Sequence, residues 1–263
     1  MKIWAIANQK GGVGKTTTAI NLAGIFSRTK QRVLLVDFDP QGSLSSYLGL
    51  NPERLNPTAY QLFQNESTSI AGLYQHTKLP NIAILAASTA LATLDKRFAQ
   101  QPGKGLVLHQ ALMGIQHQFD QVLIDCPPVL GLLMVNALAA AHQLIIPVQT
   151  EFLALQGLQR MLHTLDMVNH SRTENLNSII VPTFYDKRTR AAQQALTELR
   201  QRHRSLLWPD VIPVDTLFRD ASRLGSALTL LKPNARGAQA YARLWRSISQ
   251  DQGEIKTTPM EQI

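Results

Sequence analysis

The sequence predicts an α/β fold in one domain: a mostly parallel, twisted sheet with helices on both faces. Its 263 residues are 44% hydrophobic, which is enough to bury one sizeable core. Short apolar runs rich in β-branched residues alternate with longer segments of helical periodicity, an order typical of a parallel sheet. The first apolar run leads through a glycine-rich turn into a helical pattern, so the first strand and the first helix are directly joined.

The strands and helices are expected to alternate along most of the chain. The predicted strands are residues 3–7, 33–37, 82–86, 122–125, 144–148, 179–183 and, as the weakest pattern, 211–213. The predicted helices are residues 15–28, 88–99, 105–116, 131–140, 153–170, 189–203 and 235–249. Prolines punctuate the less regular stretch 49–80. We expect one domain over residues 1–249 and a polar, frayed tail over 250–263.

Composition narrows the class of protein. The chain contains no run of about 18 apolar residues, and its first residues lack the basic, apolar and cleavage regions of a signal peptide. Its single cysteine, Cys126, cannot form an internal disulfide or a multi-thiolate metal site, and we expect it to be a small buried residue. These features favour a cytoplasmic protein.

The turn after the first strand has the composition of a phosphate-binding loop. Glycines let backbone N–H groups converge on phosphate oxygens, and the following helix adds its positive N-terminus. We expect Lys15 to bridge the outer phosphates and Thr16 to hold Mg²⁺. A turn that binds nothing is the alternative, and the Gly-Lys-Thr-Thr run between strand and helix disfavours it. The predicted nucleotide contacts are Gly11, Gly12, Val13, Gly14, Lys15, Thr16 and Thr17.

Aspartates follow two other strands at the edge of the sheet where ligands of such folds bind. Asp37 and Asp39 end the second strand, and in the alternative reading they only cap the next helix. Asp125 ends a later apolar strand, which resembles a Walker B segment. One carboxylate is sufficient there, because Mg²⁺ keeps several waters and also binds substrate phosphates.

The loop departs from the strict pattern, which places a glycine where this chain has Gln9, and Lys10 stands next to it. This variant resembles the deviant Walker A motif of the ParA/MinD family of ATPases. The resemblance implies that Lys10 reaches across a dimer interface to the partner's nucleotide. Residues 37–43 resemble the family's second signature, which implies that Asp39 positions the attacking water and that Asp37 contacts the metal through water. Weak hydrolysis stimulated by a partner is expected.

The resemblance covers about residues 1–249. Residues 146–158 look like a segment of the family's dimer face, and residues 183–189 and 212–215 look like the segments that bracket adenine, which makes Pro213 and Asp215 candidates for base contacts. Residues 150–155 and 213–222 look most like the ATPases encoded with chemotaxis genes, which position chemosensory arrays. The implied partners are a second copy in the ATP state and a ParB-like or array-adaptor protein as activator.

The net charge of +8 is concentrated near the end of the chain, where residues 182–250 hold 12 Lys and Arg against 5 Asp and Glu. Such an excess is typical of contact with phosphate backbones, and non-specific DNA is the expected partner in the nucleoid or at the cell pole. A solvated face or local ion pairs, such as Asp220 with Arg223, are the alternatives. The DNA-binding candidates are Arg200, Arg202, Arg204, Arg219 and Arg223, of which the last two share a helical face.

Three other functions remain open at this stage. The first is a membrane-cycling ATPase similar to MinD, which the polar tail of residues 250–263 disfavours because it is a poor membrane surface. The second is a metabolic enzyme of the same P-loop group, which needs a small-substrate pocket or paired cysteines. The third is an interaction scaffold with a vestigial site, which the intact Lys15, Thr16, Asp39 and Asp125 disfavour.

Overall fold

A seven-stranded sheet forms the centre of the computed structural model, which describes residues 1–64, 69–98, 101 and 103–250. The strands are β1 (Lys2–Ile6), β2 (Val33–Asp37), β3 (Gln75–His76), β4 (Ile82–Leu85), β5 (Gln121–Asp125), β6 (Gln143–Gln149) and β7 (Asn177–Thr183). Their spatial order is β3-β4-β2-β5-β1-β6-β7, and every pairing is parallel except that of β3 with β4. The predicted fold class is therefore confirmed.

Helices connect these strands. They are α1 (Lys15–Arg28), α2 (Ser43–Tyr47), α3 (Leu94–Phe98), α4 (Val107–Met113), α5 (Leu132–Ala140), α6 (Phe152–His170), α7 (Arg190–Arg202), α8 (Leu217–Arg223), α9 (Leu228–Leu231) and α10 (Arg236–Gln250). Short 3₁₀ helices span Ala59–Phe63, Ile70–Gly72, Thr89–Thr93 and Lys104–Leu106. Residues 251–263 of the predicted tail lie outside the described residues, as does position 99 of the predicted helix 88–99.

Six of the predicted strands are present within two residues of their expected bounds. The seventh, 211–213, was wrong. Pro213 makes only an isolated bridge to Tyr185, because Pro209 and Pro213 have no N–H and cannot continue a ladder. The sequence also did not reveal β3, which at two residues is too short for a periodic pattern, or the short helices α2 and α9.

Both faces of the sheet are buried, which explains why its strands are continuously apolar. Neighbouring residues point to opposite faces: Ile3 enters the core beneath α4, α5 and α6, while Trp4 enters the core beneath α1 and α10. On that second face Trp4, Phe26 and Trp245 stack edge to face or tilted, with ring centroids 4.7 to 6.2 Å apart. These aromatic contacts hold α1 and α10 together.

The register of the central strands brings the predicted site residues to one edge. Asp37 at the end of β2 lies directly beside Asp125 at the end of β5, and Ile6 at the end of β1 lies beside Asp125 on the other side. The glycine-rich turn leaves β1 at this same edge. The parallel topology therefore assembles residues that are far apart in the sequence.

Candidate nucleotide-binding site

The loop between β1 and α1 has the backbone of a phosphate cradle. Gly12 and Gly14 adopt positive φ angles of 73° and 91°, a conformation that side chains disfavour. Gly14 is the N-cap residue of α1 and offers no capping side chain. The first N–H groups of this 14-residue helix are therefore left for a ligand.

Lys15 lies at the start of α1 and is 93% buried, with a relative exposure of 7%. Its ammonium group donates a hydrogen bond to the carbonyl oxygen of Lys10, 3.1 Å away. The lysine therefore folds back along the loop, with its charge over the cradle. Lys15 lies at the aspartate edge of the sheet, because the next residue, Thr16, donates a hydrogen bond to Asp125.

Thr16 and Asp125 form the centre of the predicted metal site. The Thr16 hydroxyl donates to Asp125 Oδ2 at 2.6 Å, while Asp125 Oδ1 is buried without a hydrogen-bond partner. Burial, followed by the nearby Asp37 carboxyl, raises the pKa of Asp125 to about 8. A hydroxyl beside a carboxylate with one free buried oxygen fits a hard divalent cation such as Mg²⁺.

Asp37 fastens the turn that carries Asp39. Its Oδ2 accepts hydrogen bonds from the Ser45 N–H and hydroxyl, each at 2.7 Å, and its Oδ1 accepts one from the Asp39 N–H at 3.2 Å. Burial raises the pKa of Asp37 to about 7. The predicted outer-sphere metal contact and helix capping are thus both compatible with this position, because the carboxyl binds α2 and also lies beside Asp125.

Asp39 lies at the rim of the site, with a relative exposure of 9%. Its Oδ1 accepts a hydrogen bond from the Gln41 N–H at 3.0 Å. The turn needs glycine at position 42, where φ is 60° and an added Cβ would lie 2.2 Å from the Pro52 ring. This tight turn holds Asp39 just beyond the end of β2, at the same edge of the sheet as Asp125.

Lys10 contacts α6. Its ammonium group pairs with the carboxylate of Glu151, the residue that precedes α6. The neighbouring Gln9 amide donates to the Thr164 hydroxyl at 2.6 Å. A Cβ on Gly157 would come within 3.0 Å of the Lys10 Cβ, so loop and helix pack closely. No role was predicted for Glu151, although it lies within residues 146–158, which resemble the family's dimer face.

The predicted base-contact residues lie on the other side of the loop. Pro213 lines a small cavity of about 10 Å³, which has room for about one water molecule. Asp215 uses both carboxylate oxygens on backbone N–H groups, of Leu217 at 3.0 Å and Gly237 at 2.9 Å. It thereby joins the starts of α8 and α10. The cavity is lined by Gly14, Thr17, Thr183, Phe184, Ile212, Pro213, Phe218 and Tyr241.

Phe184 is a member of this set that falls within the predicted adenine segment 183–189 but was not singled out as a contact residue. It has a φ of 52°, which is strained for a residue with a side chain, and its ring lies 3.4 Å from where a Cβ of Gly14 would stand. Hydrogen bonds on the flanking Thr183 and Tyr185 hold this backbone in place. Its position directly after β7 was the available signal.

The candidate arginines fall into two groups. Arg200 and Arg202 lie in the last turn of α7 and Arg204 follows it. Because α7 starts after the carboxyl end of β7 and the chain returns to β7 at Ile180, whose N–H donates to the Leu206 carbonyl at 2.8 Å, this end of α7 lies toward the amino-terminal edge of the sheet. Arg202 pairs with Glu198 at 3.1 Å.

Arg219 and Arg223 lie exposed on α8, which begins beside Asp215. Among the described residues, the suggested Asp220 pair with Arg223 is not formed.

Cys126 is fully buried, as predicted, and burial raises the pKa of its thiol. No helix in the described part of the chain is long and apolar enough to cross a membrane.

Comparison with known proteins identifies relatives over nearly the whole chain. The model of the AAA domain family matches residues 1–178. The chromosome partitioning protein ParA of Myxococcus xanthus is 35% identical and aligns over 94% of this chain and 87% of its own. The chromosome-partitioning ATPase Soj of Thermus thermophilus is 40% identical over 91% and 92% of the two chains. A structure of cobyrinic acid a,c-diamide synthase from Mycobacterium smegmatis, with an ATP analogue and magnesium, superposes with a TM-score of 0.83 at 30% identity over 98% of each chain.

Proposed function

The chain belongs to the ParA/Soj family of partition ATPases, and from this premise we propose that it is a Mg-ATP-driven switch that partitions or positions a cellular cargo. ATP joins two copies, the dimer binds non-specific DNA, and slow hydrolysis, stimulated by a partner, resets the cycle. One observation carries the proposal: Thr16, which follows Lys15 in the phosphate loop, donates a hydrogen bond to Asp125 at the carboxyl edge of the sheet. The cargo is DNA or a protein complex such as a chemosensory array, and a ParB-like or array-adaptor protein is the activator.

The residues at this edge have separate roles in phosphoryl transfer. N–H groups from Gly11 to Thr17 and the Lys15 ammonium bind the phosphates, and Thr16 with Asp125 would hold Mg²⁺. When bound, the metal would neutralise charge on the phosphates. Asp39, at the rim, orients the attacking water. No stronger base adjoins it among the described residues of the loop and its aspartate turn, which accounts for slow hydrolysis without a partner.

The dimer proposal is supported by apolar side chains on the nucleotide edge. Phe152 and Leu153 at the start of α6 are 70% and 62% exposed, and Val129, after β5, is 65% exposed. Such a group is typical of a surface that another protein covers. Lys10 lies near Phe152 through its pair with Glu151, and it is the residue proposed to bind the nucleotide of a second copy.

The DNA proposal rests on two separate groups of arginines. Arg219 and Arg223 lie on α8, near the nucleotide edge, whereas Arg200, Arg202 and Arg204 lie at the opposite edge. Charge reversal of Arg219 with Arg223, and separately of Arg200 with Arg204, should each weaken retention of non-specific DNA and reduce its salt dependence. Unchanged gel shifts for both pairs would remove the DNA claim.

The nucleotide claim is tested by removing the phosphate-binding ammonium group. Lys15→Ala should abolish the heat of Mg-ATP binding in isothermal titration, whereas Lys30→Ala, on the loop beyond α1, should leave it unchanged. Asp39→Ala should bind ATP normally and accumulate the dimer, because the attacking water loses its orientation. Equal ATP affinity in Lys15→Ala, or an Asp39→Ala protein that stays monomeric with ATP, contradicts these assignments.

The biosynthetic enzyme among the relatives defines the main alternative. That enzyme is 30% identical, whereas the two partition relatives are 35% and 40% identical. ATP hydrolysis that DNA and a protein partner stimulate, with no added small acceptor, is the result expected for the partition function.

A further inference from the structure

The pair between Lys10 and Glu151 raises a question about the proposed dimer. Lys10 is expected to bind the nucleotide of a second copy, yet its ammonium group contacts a carboxylate of its own chain. The two side chains are 24% and 42% exposed, so the pair is neither sealed in the core nor fully in water. The ammonium group has three N–H donors, but this pair turns it toward the start of α6 in its own chain, whereas the nucleotide of a second copy would lie outside that chain.

The backbone of Lys10 is held firmly in place. Its N–H donates to Asn8 Oδ1 at 3.2 Å and its carbonyl accepts from Lys15 at 3.1 Å. Gly157 of α6 lies against its Cβ, and the Gln9 side chain is tied to Thr164 of the same helix. Only the outer part of the Lys10 side chain is left to move, and Glu151 holds that part.

The Glu151 side chain contacts Lys10 and does not cap the helix that it precedes. It is the N-cap residue of α6, yet its side chain makes no capping hydrogen bond. A short Ser, Thr, Asp or Asn is preferred there, because a longer carboxylate reaches past the helix N–H groups. Here the carboxylate reaches Lys10 instead.

We propose that Glu151 is an autoinhibitory contact, which holds Lys10 within the single chain and must release it before two chains can share nucleotide. The inference rests on the proposed ATP-dependent dimer. Each dimer must break two such pairs, so the same penalty applies whichever nucleotide is bound. ATP offers Lys10 more negative charge than ADP, and the penalty therefore keeps the ADP-bound chain monomeric while ATP overcomes it.

The expected size of the effect follows from the exposure of the pair. A partly exposed ion pair changes an equilibrium by roughly two- to five-fold. Two pairs per dimer make this roughly four- to twenty-five-fold in the dimer dissociation constant. Glu151→Gln keeps the size of the side chain and removes its charge, so it should tighten the dimer by this factor with ATP and should make an ADP dimer easier to detect.

The test is sedimentation of the full chain over a range of protein concentrations, with Mg²⁺ and a non-hydrolysable ATP analogue or ADP. Glu198→Gln is the matched control, because it removes the exposed pair with Arg202, on α7 and away from the loop. The proposal expects a tighter dimer for Glu151→Gln and no change for Glu198→Gln. An equal or weaker dimer for Glu151→Gln overturns it.

A double variant separates release of Lys10 from a general effect on α6. In a Lys10→Ala background, Glu151→Gln should have no further effect on the dimer, because there is no ammonium group to release. A gain of the same size in that background overturns the autoinhibitory role. If neither the wild type nor Glu151→Gln forms a dimer with the ATP analogue, the proposed function itself is wrong, and that result differs from a wild-type dimer that Glu151→Gln fails to tighten.

Discussion

Replacing Asp125 by Asn should make the isolated protein more stable while removing its use of Mg²⁺. Burial raises the pKa of Asp125 from 3.8 to about 8. A raised carboxyl pKa means that the folded state holds a proton which the unfolded chain releases, so stability is full below about pH 3.8 and is lost as the pH rises toward 8. Asn carries no charge to bury, and Asp125→Asn should therefore gain on the order of a few kcal/mol at pH 8.

Thermal melts in EDTA provide the assay. The gain corresponds to a rise in Tm on the order of 5 to 10 °C at pH 8 for a chain of this size, and it should shrink at pH 5. Mg-ATP at a hundred times its Kd should stabilise the wild type by about 2.7 kcal/mol and Asp125→Asn far less.

Asp120, which immediately precedes β5, supplies the control. Its partner Arg32 holds the pKa of Asp120 below its usual value. Asp120→Asn should therefore lower stability, by less than about 1 kcal/mol, since the pair is exposed. A lower Tm for Asp125→Asn than for the wild type at pH 8 in EDTA would refute the reasoning.

Three further changes test the surroundings of the site. Phe184→Leu should weaken ATP binding by roughly ten- to a hundred-fold through lost base stacking, and should leave tripolyphosphate binding unchanged in the same titration; equal losses for both ligands would contradict it. Gly157→Ala should weaken ATP binding and dimerisation, because its Cβ would press on Lys10, while the free energy of unfolding measured by thermal melts should change by less than about 1 kcal/mol. Wild-type affinity for ATP would contradict this, because it would mean that the loop moves to accommodate the methyl group. His142 accepts a hydrogen bond from the Ile3 N–H through Nδ1, and its pKa is lowered by burial and then by the charges of Lys2 and the N-terminus. The free energy of unfolding should therefore fall as the pH drops below 6.5, because the unfolded chain binds a proton that the folded chain disfavours. Thermal melts of His142→Gln should lose this pH dependence.

The parts of the site that the sequence predicted are those formed by neighbouring residues. The turn from Lys10 to Thr17 needs only glycines and the helix that follows, so its shape is encoded locally. The meeting of Asp37 with Asp125 was also predictable, because parallel strands end at one edge and each strand closed on an aspartate. These inferences required the strand pattern but no knowledge of side-chain packing.

The contacts that the sequence did not reveal join residues far apart along the chain. Glu151 meets Lys10 across 141 residues, and Gln9 meets Thr164 across 155. Neither contact leaves a periodic signal, since each depends on how α6 packs over the loop. Phe184 could not be singled out within the predicted segment 183–189 for a related reason. Its positive φ angle and its contact with Gly14 depend on the folded backbone, and residue type predicts neither.

The two groups of arginines bear on how ATP would control DNA binding. Arg200, Arg202 and Arg204 lie at the edge away from the nucleotide, so no local rearrangement around ATP is needed to explain their use. Joining two chains is sufficient, because the second set of contacts then acts at high effective concentration. Each phosphate contact contributes about 0.9 to the slope of log affinity against log salt, so the dimer should show about twice the slope of the monomer. A dimer slope equal to that of the monomer would contradict this account, because it would mean that only one chain of the dimer contacts DNA.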